Sequence, residues 1–334
     1  MKNIKKIIPL LMIVPLLGAC NNSNGKTMKK PSFAAYSNKV ADYTTFMTAA
    51  SEKANEGMGS LVVIEGENIK SLDKGLVIKM ERYAHIDYKS EFKKTGLKAT
   101  ATVNNHADGD SSVDAATLVS KGVATTDTST KAKGVVNLPE TGYQEVDGKR
   151  VFVFEVLPEY ANATVDKKSS QETDQYSFFK DKKMAIADNK TKQYFFTSQE
   201  EFAEDEQKSY FATTTAMSLT MLIPAFLPND VGDYAFDRYQ DDKVFTTVFK
   251  EENKGVTVKY DDESYTVSCK TDVIYQYNFV TMTGAYSIEK SFEMTGDSGT
   301  HTYSFKEYMV LSATNKKVNV KAPDLAKFKF VESN

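Results

Sequence analysis

Residues Tyr265 to Phe279 read "YTVSCKTDVIYQYNF". Tyr265, Val267, Cys269, Val273, Tyr275, Tyr277 and Phe279 all fall on odd positions, and polar residues fill most of the even ones. Successive side chains of a β-strand point to opposite faces, so this period of two describes a strand with one apolar and one wet face. The same pattern precedes it in Val256, Val258 and Tyr260, and follows it in Tyr286, Ile288, Phe292 and Met294, then in Tyr303, Phe305, Met309 and Leu311. Asp261 to Ser264, Thr283-Gly284 and Asp297 to Gly299 separate these runs as turns. The last hundred residues therefore read as an antiparallel meander, closed by "VNVKAPDLAKF" (318–328) as a short strand and a tail.

Upstream of the meander a long helix is expected. Ser198 with Glu201 forms a capping-box pattern, and apolar residues run through Tyr210, Phe211, Met217, Met221, Leu222 and Phe226 until Pro224 and Pro228 close the segment. Threonines, a serine and a proline dilute its hydropathy, which favours a helix buried against a sheet over a membrane span. From about Leu61 to Thr197 the period is again two. "EVDGKRV" places Asp147-Gly148 where a type I′ hairpin turn needs positive φ, and "VFVFEVL" (151–157) is apolar on both faces, as a covered central strand would be. Before it, Phe33, Tyr36, Val40, Tyr43, Met47, Ala50 and Ala54 recur at helical spacing after Pro31. The expected class is α+β: a strongly curved antiparallel sheet packed on an N-terminal helix and a long central helix.

The chain opens "MKNIKKIIPLLMIVPLLGAC". Lys2, Lys5 and Lys6 form a basic start, and Ile7 to Ala19 is an apolar run of about 20 Å as a helix, short for a membrane span and fitting for a signal peptide over residues 1–19. Its end, Leu17-Gly18-Ala19-Cys20, resembles the bacterial lipobox, in which the cysteine receives a diacylglycerol and becomes the first mature residue. That resemblance implies a lipoprotein held on the outer face of the cytoplasmic membrane. Residues 20–31, polar and rich in Asn and Lys, read as the lipidated tether. Residues 32–332 read as one β-rich domain, with a division into sub-halves 32–197 and 198–332 left open. The order of helix, strands, long helix, meander and "VKAP" tail resembles the LolA-like fold of the lipoprotein carrier LolA and of LppX- and LprG-type lipoproteins. It implies an open half-barrel wrapped around helices, with room for an apolar cavity.

Composition narrows the functions. Lys and Arg number 42 against 45 Asp and Glu, and without the signal's three lysines the balance is 39 against 45, which disfavours nucleic acid as a partner. Cys269 is the second of two cysteines, so with Cys20 acylated no disulfide forms and the fold relies on packing. Trp is absent while Tyr (18) and Phe (20) are plentiful, a sheet-forming bias.

Several short motifs carry a bland reading better than a chemical one. Leu138 to Gly142 spells the wall-sorting pattern LPETG, but no apolar span and basic tail follow, so a turn is expected there. Gly296 to Gly299, "GDSG", matches the tetrapeptide around a trypsin-like nucleophile, yet Thr300-His301 follow it and a hairpin turn fits better. His85, His106 and His301 stand singly, without zinc spacing. Asp108, Asp110 and Asp114 lack the order of a calcium loop and read as a solvated loop. No phosphate-binding glycine loop or dinucleotide fingerprint is present in the sequence, and no cofactor is expected.

The reading that follows is a non-enzymatic membrane lipoprotein that binds a lipid or another hydrophobic molecule in a cavity between sheet and helices, with Met217, Met221 and Phe226 as its candidate lining. The alternative is a surface-displayed structural or protein-interaction module with a solid core, binding through its wet face or a sheet edge.

Overall fold

A computed structural model describes residues 27–154, 160–228, 235–260 and 263–332. In chain order the elements are β1 (Lys39–Val40), α1 (Tyr43–Gly59), β2 (Val62–Glu65), β3 (Asn68–Leu72), β4 (Gly75–Phe92), β5 (Lys98–Asp114), β6 (Val119–Lys133), β7 (Thr141–Val146) and β8 (Lys149–Phe154). They continue with β9 (Thr164–Lys180), β10 (Lys183–Asp188), β11 (Gln193–Phe196), α2 (Glu204–Thr220), β12 (Asp237–Asp241), β13 (Val244–Tyr260), β14 (Glu263–Asn278), β15 (Thr283–Thr295), β16 (Gly299–Asn315) and β17 (Lys329–Phe330). Thirteen strands form one sheet in the order β1-β12-β13-β14-β15-β16-β4-β5-β6-β9-β10-β11-β17, and its two end strands are not paired to each other. The pairs β2-β3 and β7-β8 are separate hairpins.

The α+β expectation is corrected by this architecture. The protein is mostly sheet, with two 17-residue helices among the described residues and an open sheet of thirteen strands, so the LolA-like half-barrel is not the fold observed. Strands of 15 to 17 residues occupy Lys98–Asp114, Val119–Lys133 and Thr164–Lys180, where Thr, Ser, Lys and Asp dominate. Their small apolar content hides their length from a hydropathy pattern, while Thr and Val still favour extended backbone.

The first helix starts ten residues later than expected. Asp42 caps it by accepting from Thr45 N at 2.6 Å, and Phe46 and Ala50 are its buried residues. Phe33 to Asn38 form no helix, because partners more than 200 residues away take their backbone groups: Gln276 brackets Ala34, and Asp241 accepts from Ser37 N and Asn38 N. The central helix is also shorter than the expected 198–227. It begins after Ala203, whose N–H donates to Glu206 at 2.6 Å, and a 3₁₀ turn at Ile223–Ala225 follows it. Ser198 instead accepts from Glu200 N ahead of the helix. Within α2, Thr214, Thr215, Ser218 and Thr220 donate back to the carbonyls four residues earlier, which gives a partner to the hydroxyl of the buried Thr215.

In the meander the register matches the alternation: Val267, Cys269, Val273, Tyr275 and Tyr277 share one face with Met294, Phe292, Ile288, Tyr286 and Gly284 across the pairing. The turn after β14 covers Phe279 to Met282, so Thr283 and Gly284 already lie in β15. Asp147 (φ 50°) and Gly148 (φ 71°) both take positive φ at the β7-β8 turn, as a type I′ hairpin requires. Val151–Phe154 are buried all round, but β8 is not a central strand of the sheet. It plugs one end of it.

Two cores on one face result. At one end α1, α2 and the β2-β3 hairpin cover Leu76, Ile78, Met80, Tyr286, Met309 and Leu311; Phe46, Phe211, Phe226 and Phe245 fill the space between. At the other end Val151–Phe154 pack on Tyr88, Phe92, Cys269, Phe292, Met294 and Tyr303. Each fully buried Phe of this kind stabilises the fold by about 2–3 kcal/mol. A third, smaller cluster lies on the opposite face, where the tail residues Val318, Val320, Leu325 and Phe328 cover Val119, Phe178, Ala185 and Ala187. Strands from 32–197 and 198–332 join in the same sheet, because β4 pairs with β16 from Leu76↔Asn315 to Phe92↔Gly299.

Candidate functional site: the belt between the two cores

Between the two plugs the helix-bearing face is only partly covered. One cross-strand row runs Phe249, Val273, Ile288, Glu307, Ala84, Asn105, Thr128 and Ser169, each residue directly opposite the next. A second row runs Tyr275, Tyr286, Met309, Arg82, Ala107, Thr126 and Gln171, and a third includes Lys290, Phe305, Ile86, Val103 and Thr130. Phe249, Tyr275, Ile288, Phe305, Ile86 and Val103 keep intermediate exposure, although Tyr275 and Ile288 pack on one core and Phe249, Phe305 and Ile86 on the other. Phe236 adds its ring 6.3 Å from Phe249 and 6.1 Å from Tyr275. The meander half of the belt is thus mainly apolar, with Lys290 opposite Phe305 and Glu307 opposite Ile288 as charged members, and the β5-β6-β9 half carries hydroxyls and amides. Asn105 donates to Thr128 Oγ1 at 2.9 Å within that half.

A partly buried polar knot divides the halves. Arg82 Nε donates to Glu307 Oε1 at 2.8 Å, and the Tyr286 hydroxyl donates to the same oxygen at 2.5 Å. Burial, reinforced by the Glu307 carboxylate, pushes the Tyr286 phenol far above its ordinary range, so it stays a donor. Burial opposes the Arg82 charge, and Glu307 and Tyr286 outweigh it, holding the guanidinium above its usual range.

Outside the third cluster under the tail, the opposite face carries two polar clefts. A cleft of about 650 Å³ lies between the segment carrying Ser32 and Ala34 and the strands carrying Lys79, Glu81, Asp108 and Asp110. A trough of about 450 Å³ crosses five strands and is edged by Asp87, Lys89, Glu252, Lys254, Lys270 and Glu293. His85 and His106, far apart as motifs, lie on neighbouring strands here. His85 contacts Asn104 Oδ1 (2.7 Å) and Asp87 Oδ2 (2.9 Å), and His106 contacts Glu81 (2.9 Å). Cross-strand register brought them together, and no sequence spacing records it.

The expected lining residues are scattered. Met217 (48% exposed) and Met221 (54%) face solvent, whereas Phe226 is fully buried against Tyr277, Tyr286 and Gly284. Two exposed side chains and a fully buried one do not share a lining among the described residues. Leu17, Gly18, Ala19 and Cys20 lie outside the described residues. Asp108 and Asp110 lie on strand β5 and not in a loop, and Asp114 is 4% exposed, accepting from Val320 N and Ala116 N. Among the described residues no group of three or more His, Cys, Asp or Glu is placed to hold a metal ion. Gly142 of the LPETG pattern is in strand β7. In "GDSG", Ser298 Oγ lies 3.3 Å from His301 Nε2 while Ser90 contacts the other ring nitrogen at 2.7 Å; His301 is fully buried at the hairpin end. Cys269 is buried, and burial raises its thiol pKa. No described helix is long and apolar enough to cross a membrane.

No family model and no curated protein matches the chain. Among solved structures it is similar to the outer membrane protease OmpT of Escherichia coli, at 10% identity and a TM-score of 0.19 over 72% of this chain and 96% of that one. A β-barrel-like protein of a domain of unknown function from Brucella abortus aligns at 11% identity and a TM-score of 0.14 over 70% and 98%. Pseudomonas aeruginosa OccK7 aligns at 8% identity and a TM-score of 0.15 over 72% and 99%. Likeness this distant carries no argument about the fold or the activity of this chain.

Proposed function

We propose that the protein is a bacterial lipoprotein, acylated at Cys20 and held on the outer face of the cytoplasmic membrane, which binds the apolar part of a lipid or other hydrophobic molecule and performs no chemistry on it. The belt between the two cores carries the proposal. Phe249, Tyr275, Ile288, Phe305 and Ile86 form a partly exposed apolar surface beside the Arg82–Glu307 pair and Lys290 and the polar residues of β5, β6 and β9, which suits an amphipathic ligand better than a purely apolar one. This places the ligand between the plugs of the sheet, away from Met217 and Met221. A second reading, a surface-displayed interaction module, is favoured by the opposite face, where clefts of about 450 and 650 Å³ carry charges of both signs.

Titration of the chain from residue 26 onward with a fluorescent fatty acid separates the two. The belt reading predicts saturable binding that Phe305→Glu abolishes while the cooperative unfolding transition survives. Binding unaffected by Phe305→Glu, or none in the wild-type chain, favours the interaction module.

A further inference from the structure

The segment after the lipobox is fastened to the sheet. Lys30 Nζ lies 2.5 Å from Glu289 Oε2 and 3.7 Å from Asp272 Oδ2, both on the face opposite the helices. The Gln276 side chain bonds both backbone groups of Ala34, accepting from its N–H at 2.8 Å and donating to its carbonyl at 3.1 Å. Asp241 accepts from Ser37 N, Ser37 Oγ, Asn38 N and Asn38 Nδ2, and Lys39–Val40 then pair with β12. Hydrogen bonds from its backbone amide and hydroxyl partners hold the Asp241 carboxyl below the usual range. Residues 30–40 thus form a strap that runs from the middle of β14 and β15 to the sheet edge.

We propose that this strap fixes the orientation of the protein on its membrane, with the strap-bearing face of the sheet against the lipid headgroup layer and the helix-bearing face, with its belt, turned away. The inference rests on the reading of Cys20 as acylated. Ten Cα-to-Cα steps lead from Cys20 to Lys30. Fully extended they reach about 35 Å, and as a flexible chain about 18 Å. From Lys30 a bilayer facing the strap is directly within reach. A bilayer on the helix side would oblige the same stretch to cross two strands, about 10 Å, round the edge and clear a packed layer about 10 Å thick, a path of more than about 20 Å that exceeds the relaxed span of the chain and has to stretch it. The face itself suits hydrated headgroups. Ser268, Ser291, Thr302 and Ser304 line its trough among Lys89, Lys254 and Lys270 and the carboxylates Asp87, Glu252 and Glu293, so the contact is polar and does not insert into the bilayer.

The test uses the full, acylated chain reconstituted in phosphatidylcholine vesicles that carry a headgroup-linked energy-transfer acceptor. A donor dye is placed on Ser291→Cys, exposed on the strap face, or on Met217→Cys, exposed on the helix side; Cys269 is buried and stays unlabelled. The two positions are separated by the sheet and helix layers, about 20 Å, and about twofold greater transfer from residue 291 is expected. Equal or reversed transfer in vesicle-bound protein overturns the orientation and leaves the lipoprotein reading intact. Protein that fails to sediment with vesicles overturns both. The triple variant Lys30→Ala, Asp241→Ala and Gln276→Ala removes the side chains that hold the strap without touching either core; the difference should shrink while sedimentation persists, and an unchanged difference overturns the role of the strap.

Discussion

The ring of Phe226 lies directly on Gly284: a Cβ built at residue 284 would sit 2.8 Å from three of the ring carbons. Phe226 is fully buried between Tyr277 and Tyr286, so the turn after α2 is keyed to the first residues of β15. Gly284→Ala should therefore destabilise the protein by about 1–3 kcal/mol through overpacking. Urea denaturation checks it, and Phe226→Leu in the same chain should recover part of the loss, since a smaller side chain makes room for the added methyl. Additive losses would mean that the two residues do not share this contact.

The Arg82–Glu307 pair gives a second expectation. With side chains 29% and 13% exposed, the pair is shielded enough that removing one partner leaves a charge poorly compensated. Arg82→Met should cost about 3 kcal/mol, and Glu307→Gln, which keeps an acceptor for Tyr286, should cost less. Thermal melts of the two variants order the losses.

His301 makes stability depend on pH. Burial lowers its pKa below the ordinary value of 6.5, an effect that Glu263 only partly opposes. The folded state therefore holds the ring neutral in a range where the unfolded chain already takes up a proton. Stability from this group is complete above 6.5 and falls as the pH drops below it, toward the lower folded pKa. Comparing wild type with His301→Gln at pH 8 and pH 5.5 isolates the effect, since the carboxylates are common to both. The wild type should lose more of its urea midpoint between the two pH values than the variant does.

Cys269 is 4% exposed with its thiol pKa raised by burial, so in a chain beginning at residue 26 a thiol reagent should not label it under native conditions. Labelling should appear only at denaturant concentrations that unfold the whole sheet. Rapid native labelling would show that the β8 plug opens locally.

The meander was legible because its apolar face is buried along most of its length and its other face is wet, the condition under which a period of two survives in the sequence. Phe33 to Val40 misled because its helical spacing is coincidental, and the groups that hold it extended, Gln276 and Asp241, are remote in the chain. Val151–Phe154 looked like a central strand because a strand enclosed by a sheet and one covered by its neighbours have the same all-apolar composition. The belt was hidden for a different reason. Phe249, Tyr275, Ile288, Phe305 and Ile86 each read as ordinary core positions, and only the cross-strand register together with their intermediate exposure shows that they lie between the two cores. Met217 and Met221 drew attention as members of an apolar run, but α2 turns them to solvent and buries Phe211, Ala212, Thr215 and Leu219.

The central claim is that the belt holds a hydrophobic ligand. Its most direct test is solvent extraction and mass spectrometry of the chain from residue 26 onward, produced in bacteria and purified without detergent. The account predicts one lipid or lipid-like species near one molecule per protein in the wild type, lost in Ile288→Arg and Phe305→Glu variants that still unfold cooperatively. Wild-type protein that emerges free of lipid, or variants that retain it in full, would contradict the account.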